Sequence, residues 1–268
     1  MRHKVILILI DGLAWDTAQH GMGYLQALCE AGFASRHRLA SALPSLSRPL
    51  YECILTGTTP VASGIVHNGV NRLSEQTSLF HLARNAGLVT AAAAYHWISE
   101  LYNRSPYDAC RDRFTDDASL PIQHGVFYHR DDYPDDHLFI DAEALRRRHD
   151  PDLLFIHPMN VDDAGHRHGF DSAEYRNAAR RSDNLLAHYL PGWLAAGYQI
   201  LVTSDHGMNR DGTHGGDLPE ERLVPLFLIG KAFNHAACET PAQTALCGVA
   251  ADLLGIAHDK PHHPELIA

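Results

Sequence analysis

Three uninterrupted apolar runs constrain this chain more than any other feature: Val5-Ile6-Leu7-Ile8-Leu9-Ile10, Leu153-Leu154-Phe155-Ile156 and Ile200-Leu201-Val202. Runs without polar alternation are typical of parallel strands covered on both faces. Each run leads into residues of a different kind. Asp11-Gly12 ends the first, Asp162 and His166 follow the second, and Asp205-His206-Gly207 follows the third. Open α/β sheets gather their ligands at the carboxyl ends of parallel strands. Adjacent Asp and His side chains point to opposite faces of a strand, but where the backbone turns at the strand end both can reach one ion. Read alone, Asp205-His206 fits a polar turn equally well, and Asp11 fits a helix cap.

Further strands are expected at residues 35–43, 88–94 and 224–229, and helices at 21–32, 78–85, 141–148, 173–196 and 240–253. The last turn-to-turn stretch of the 173–196 helix places Leu185, Leu186, Tyr189 and Leu190 inward. This alternation predicts an α/β fold, a three-layer α/β/α sandwich with a mainly parallel central sheet. Residues 107–136 have weak periodicity and many aspartates. They read as a solvated, irregular stretch, giving a small cap insert at about 97–138 on a single catalytic domain over 1–268. A length of 268 residues suits one large domain.

The net charge of −10 argues against a nucleic-acid polymer as partner. Histidine is in excess, at 20 residues, as a metalloenzyme would show. The apolar run at 5–10 is too short for a secretory signal and no cleavage site follows it. No stretch approaches the ~20 apolar residues of a membrane span. The cysteines, at 29, 53, 110, 238 and 247, are scattered and show no CxxC pairing. Reduced thiols in a cytoplasmic protein, with no membrane partner, are the expectation.

Leu43-Pro44-Ser45-Leu46-Ser47-Arg48-Pro49 is a proline-bracketed turn before a short helix that Gly57 stops. Ser47 falls at or just before that helix N-terminus, where free N–H groups favour an alkoxide or a phosphate; Ser45 is an equally good cap. Arg48 reads as an outward surface arginine, with a part in the chemistry beside Ser47 as the alternative. Asn68, before Gly69, serves a turn or hydrogen-bonds a substrate oxygen. The cluster Tyr95-His96-Trp97 with Glu100, Tyr102, Asn103 and Arg104 is either a substrate-facing loop or the rim of a packed insert. Asp162 and His166 are four apart, so one helical turn or a tight loop brings them together, and Gly165 lets the chain bend there. His214 sits before two glycines in a flexible loop.

Asp11, Asp162, Asp205, His166, His206 and His214 make three carboxylates and three imidazoles, enough for two metal ions with three protein ligands each. Ser47 is then the nucleophile between them, an arrangement suited to in-line displacement at phosphorus.

With these residues the chain resembles the alkaline phosphatase superfamily, and most closely its nucleotide pyrophosphatase/phosphodiesterase branch. The likeness runs from Ile8-Leu9-Ile10-Asp11-Gly12 to His214-Gly215. It rests above all on Ser204-Asp205-His206-Gly207-Met208 and on the spaced Asp162, Gly165 and His166. The resemblance implies that Asp11, Asp205 and His206 bind one zinc together with the oxygen of Ser47, and that Asp162, His166 and His214 bind the other. Manganese is the alternative, since mixed Asp/His sites accept either metal. It also implies that Asn68 contacts the phosphoryl oxygens. The family's Pro-Asn-His is Pro49-Leu50-Tyr51 here, and the chain is short for the branch. Sulfatases use a Cys/Ser-x-Pro-x-Arg motif, which Tyr51 breaks. The cofactor-independent phosphoglycerate mutases carry a large inserted domain for which this chain has no room.

The expected activity is therefore a two-metal phosphoester hydrolase acting through a phosphoseryl intermediate on a small phosphodiester or pyrophosphate. The alternatives are a phosphonate hydrolase of the phosphonoacetate type, a phosphomonoesterase on the same site and, more remotely, a non-catalytic phospho-ligand or metal-binding protein.

Overall fold

The structure is a computed structural model that describes residues 2–237 and 239–268. Cys238 lies outside the described residues; Cys29, Cys53, Cys110 and Cys247 are free thiols. Among the described residues eight strands form one sheet: β1 (Lys4–Leu9), β2 (Ala34–Ala40), β3 (Thr90–Tyr95), β4 (Phe114–Asp116), β5 (His124–Tyr128), β6 (Leu153–Ile156), β7 (Tyr198–Thr203) and β8 (Leu223–Ile229). Their order is β2-β8-β7-β1-β6-β3-β5-β4. The centre is parallel: β1 pairs with β6 and β7, and β3 with β5 and β6. The flanking pairs β2–β8, β7–β8 and β4–β5 are antiparallel.

The alternation of side chains along β1 shows why the run at 5–10 had to be apolar throughout. Val5, Leu7 and Leu9 enter one core, with residues from the helices Ser47–Thr56, Leu79–Asn85, His96–Tyr102 and Leu246–Leu253. Ile6, Ile8 and Ile10 enter a second core, with residues from Trp15–Gly21, Gly23–Glu30, Asp135–His149, Asn160–His168 and Ala173–Ala195. The sheet is thus covered on both faces, which is the expected three-layer α/β/α sandwich. Each fully buried aliphatic side chain contributes about 1.5–3 kcal/mol.

Register aligns the strand ends that matter. Ile8 faces Ile156 on one side and Val202 on the other. The chain therefore leaves β1, β6 and β7 at one sheet edge. Because β8 is antiparallel to both β7 and β2, β2 also ends there, and residues 41–47 start from the same edge.

Three expectations need correction. The stretch at 97–138 is not an irregular cap: it contains the helix His96–Tyr102 and strands β4 and β5, which extend the central sheet. These strands escaped notice because β4 has three residues and β5 contains a glycine, so neither carries a clear period. The closing helix covers only Leu246–Leu253, preceded by a 3₁₀ turn at Gln243–Ala245. On the long helix, Leu186 and Leu190 are buried as expected, whereas Leu185 and Tyr189 are only partly so. Among the described residues no helix is long and apolar enough to cross a membrane.

One polar contact ties the outer helices together. Glu143 accepts from Arg146 (Nε 2.7 Å, Nη2 2.8 Å), from Arg147 Nε (2.6 Å) and, across to the long helix, from Trp193 Nε1 (2.9 Å). The Arg146 hydrogen bonds, helped by Trp193 and Arg147 against the opposing effect of burial, lower the Glu143 carboxyl from 4.5 to about 2. A lowered carboxyl contributes stability that is present above its unfolded value and lost as pH falls toward the folded one. Glu143→Gln is expected to lower unfolding free energy by about 1 kcal/mol near neutral pH, with the deficit shrinking at pH ~3. Paired urea denaturation curves at the two pH values check both the size and the sign.

Candidate active site

Ser47 is the first residue of the helix Ser47–Thr56; Leu46 is the extended residue before it, and Gly57 closes the helix with φ 72°. The preceding turn is tied to the His214 loop. Ser45 Oγ donates to Gly216 O (2.7 Å) and accepts from Gly215 N (3.0 Å), and Ser45 O accepts from His214 Nδ1 (2.8 Å). Ser45 therefore links two loops and does not cap the helix.

The candidate ligands converge from three strand ends. His206 Nε2 lies 3.0 Å from Ser47 Oγ, 3.2 Å from Asp205 Oδ2 and 3.5 Å from Asp11 Oδ1. His166 Nε2 lies 3.3 Å from Asp162 Oδ2, and His214 Nε2 lies 3.9 Å from Asp162 Oδ1. The rings of His206 and His214 stack with centroids 3.6 Å apart. Asp162, His166 and His214 offer ligand atoms within 4.8 Å of one another, as do Asp11, Asp162 and His206. Asp162 stands with both groups, and Asp205 reaches the cluster beside His206.

The local chain explains this convergence. Asp162 and His166 are one turn apart on the helix Asn160–His168, which puts them on one face. Gly165 does not bend that helix; a Cβ there would lie 2.7 Å from Met208 Cε, so the glycine permits close contact with the segment carrying Asp205 and His206. Gly12, at φ +69°, approaches Asp162 so closely that a Cβ would lie 2.8 Å from its Cα.

Each imidazole is turned the same way. The Nδ1 atoms of His166, His206 and His214 face the carbonyls of Gly212 (2.8 Å), Gly207 (2.9 Å) and Ser45 (2.8 Å). An Nδ1–H engaged with a carbonyl leaves the Nε2 lone pair for the site, the usual outer support of a metal-binding histidine. Asp11 is oriented similarly. Its Oδ2 accepts from the Tyr51 hydroxyl and from His157 Nε2 (3.0 Å), while Asp205 Oδ1 accepts from Gly12 N (3.2 Å). The remaining oxygens, Asp11 Oδ1, Asp162 Oδ1 and Asp205 Oδ2, are buried without a hydrogen-bond partner.

Three buried carboxylates with unpaired oxygens facing imidazole lone pairs fit divalent cations. The electrostatics agree. Burial, reinforced by Asp11 and Asp162, pushes Asp205 well above the ordinary carboxylate range, and burial with Asp11 raises Asp162. Burial also raises Asp11, but the His157 hydrogen bond and the nearby His206 outweigh it and hold that carboxyl low. Burial lowers His206, and lowers His214 to about 4, which keeps both rings neutral as ligation requires. His166 is the exception: the Asp162 hydrogen bond raises it to about 9, so in the metal-free chain this ring is charged and must lose a proton before it can ligate.

All the expected residues are brought to this edge. Asn68 reaches it through its carbonyl oxygen, which accepts from Arg48 N (3.0 Å) and leaves the amide nitrogen as a donor. Arg48 contradicts its outward reading. It is 2% exposed, with Nη2 2.8 Å from Glu100 Oε2 and its guanidinium 4.5 Å over Trp97. Its position in the first turn of a helix buried over its whole length, from Ser47 to Thr56, forces the side chain inward. The sequence reading also missed Tyr51 and His157. Tyr51 lies four residues after Ser47 on one helical face, a signal that was readable. The contact of His157 with Asp11 depends on β6 pairing with β1, which only the topology reveals.

Residues 5–212 match the family model of Type I phosphodiesterase / nucleotide pyrophosphatase. Among curated proteins, the catalytic subunit of human GPI ethanolamine phosphate transferase 2 is 24% identical over 246 residues, covering 87% of this chain and 24% of its own length. Human ectonucleotide pyrophosphatase/phosphodiesterase family member 7 is 23% identical over 252 residues, covering 84% of this chain and 52% of its own length. The chain thus spans about a quarter to a half of these relatives. Among solved structures, murine ectonucleotide pyrophosphatase/phosphodiesterase 5 superposes with TM-score 0.77 at 15% identity, over 99% of this chain and 100% of that one. A 2-O GAG sulfatase superposes with TM-score 0.69 at 14% identity, over 97% and 72%. Both share the fold.

The crowding of carboxylates carries a stability consequence in chelator-stripped protein. A carboxyl whose folded pKa is raised loses stability as pH climbs toward that raised value, and an amide does not titrate. Asp205→Asn is expected to melt higher than the parent when both are metal-free, by about 2–4 °C per kcal/mol relieved, with the gap wider at pH ~8 than at pH ~6. Differential scanning fluorimetry in chelator tests this, and an equal or lower melting temperature for the variant at both values contradicts it.

Proposed function

The chain belongs to the Type I phosphodiesterase / nucleotide pyrophosphatase family of the alkaline phosphatase superfamily, and on that footing we propose that it cleaves small phosphodiesters or pyrophosphates with Ser47 as nucleophile. The observation that carries this reading is the contact of Ser47 Oγ with His206 Nε2 (3.0 Å), an imidazole set beside Asp11 and Asp205 in a cluster of three buried carboxylates that each keep one oxygen without a hydrogen-bond partner. Asp11, Asp205 and His206, with the Ser47 hydroxyl, would hold one divalent cation, and Asp162, His166 and His214 the other. Zinc is the ion proposed, with manganese the alternative. When bound, such a pair supplies positive charge that acidifies the serine hydroxyl and water and offsets charge on the phosphoryl oxygens.

The residues of the chain do the rest. Ser47 Oγ forms a bond to phosphorus in line with the scissile oxygen, the P–O bond to the leaving group breaks, and the leaving oxygen ends with the proton that Ser47 gives up. The substituted phosphoryl group then rests on Ser47. Water attacks the same phosphorus in the second step, and its proton restores the serine hydroxyl. Asn68, with its carbonyl engaged by Arg48 N, offers its amide to an equatorial oxygen. The net charge of −10 disfavours a polyanionic polymer as substrate.

A second reading follows from the relatives named as GPI ethanolamine phosphate transferases: the seryl intermediate is discharged to an alcohol in place of water. The two share the first half-reaction and differ in the acceptor.

Ser47→Ala is expected to lower turnover of a nitrophenyl diester by about 10³-fold or more, and rapid quench of the parent enzyme followed by intact-mass measurement should detect the substituted phosphoserine. Elemental analysis should give two divalent ions per chain, falling toward one in His166→Ala. Full activity in Ser47→Ala would end the proposal. Rates on a monoester, a diester and phosphonoacetate, with and without an alcohol acceptor, separate diesterase, monoesterase, phosphonate hydrolase and transferase. A metal-loaded protein inactive on all of them would indicate a binding protein.

A further inference from the structure

Arg48 has a role that the reaction scheme above leaves unassigned. A guanidinium this deeply buried is retained only where its desolvation is offset by well-formed partners. Nη2 donates to Glu100 Oε2 (2.8 Å), and Nη1 to Asn71 Oδ1 (3.0 Å) and Val70 O (3.3 Å). Glu100 is itself fixed, its side chain 4% exposed and Oε1 accepting from Tyr107 N (2.9 Å). The face of Trp97 completes the enclosure. Through its backbone the same arginine donates to Asn68 Oδ1. One residue, adjacent to the nucleophile, therefore grips the segment 68–71 by backbone and side chain, and is anchored in turn by a carboxylate from the helix His96–Tyr102.

The contact with Asn68 also fixes direction. An Asn side chain has one acceptor and one double donor. With the oxygen committed to the Arg48 N–H, the amide nitrogen is the end available to a phosphoryl oxygen. The Arg48 N–H belongs to the first helical turn, whose donors have no partner within the helix. It is satisfied by Asn68 and is not itself open to substrate.

We propose that Arg48 and Glu100 are a positioning pair that holds the 68–71 segment against the nucleophile helix, so that Asn68 presents its amide where the phosphoryl oxygens gather charge. Neither residue touches substrate. The proposal rests on the roles given above to Ser47 and Asn68. A planar fork is needed to reach Glu100 and Asn71 at once, and a lysine offers only a point charge. Trp97 and the rest of the 96–102 helix remain as they are when only the fork is altered.

The test is a double-mutant cycle on the metal-loaded full chain with bis-nitrophenyl phosphate. Arg48→Lys is expected to lower kcat about 10–100-fold with KM within about twofold, because a hydrogen bond that strengthens in the transition state is misplaced. In an Asn68→Ala background the same substitution should change kcat by less than about twofold, since the group it positions is gone. Metal content and melting temperature are recorded for every variant. Glu100→Gln, which keeps the shape but only one of the two acceptor oxygens, provides the same cycle if Arg48→Lys does not fold, and is expected to show a loss that also vanishes in the Asn68→Ala background. Additive losses in the two backgrounds overturn the positioning role while leaving Ser47 as nucleophile intact. Full activity in Ser47→Ala removes the underlying reading instead, so the two failures are distinguishable.

Discussion

Three carboxylates buried side by side at one sheet edge are the constraint on which the rest of this structure depends. Asp11 and Asp205 are fully buried and Asp162 nearly so, and each keeps one oxygen without a hydrogen bond. Isolated in an apolar interior, groups like these are strongly unfavourable. Their outer oxygens are held by donors from different parts of the chain: Tyr51 on the helix Ser47–Thr56, His157 after β6 and the Gly12 backbone beside Asp11 itself. The sheet supplies the remainder, since a doubly covered parallel core keeps the three strand ends in register against the repulsion between them.

That core and the site are coupled through the helix Ser47–Thr56. Tyr51, Ile54 and Leu55 enter the hydrophobic layer, while Arg48 and Glu52 face buried polar partners. Glu52 accepts from Tyr102 Oη (2.8 Å) and from the Ser74 hydroxyl, parallel to the Arg48–Glu100 contact one turn earlier. Apolar packing sets how deep the helix sits. The two polar contacts set its rotation and its place along the axis, which an apolar face alone leaves free to slide.

The parts of this arrangement that were legible in the sequence are those governed by local rules. Uninterrupted apolar runs marked β1, β6 and β7, and the residues just beyond them marked the carboxylates and histidines. The i, i+4 spacing of Asp162 and His166 held because both lie on one helix. What was not legible depends on partners distant in the chain. Arg48 looked like a surface residue because the carboxylate that pairs with it, Glu100, lies 52 residues away and is brought to it only when β3 and the helix after it take their place. His157 became visible as a support of Asp11 only through the parallel pairing of β6 with β1. Strand β4 has only three residues and β5 carries a glycine, so neither shows a clear period.

Gly12 deserves a last consequence. With φ +69° and Asp162 too near for any side chain, the backbone of one strand end lies directly against the helix that carries half of the site. The distance between the two halves is therefore a main-chain dimension, independent of any rotamer. Side chains on either half can be exchanged without altering that separation. The spacing of the two halves is set before any side chain on either is chosen.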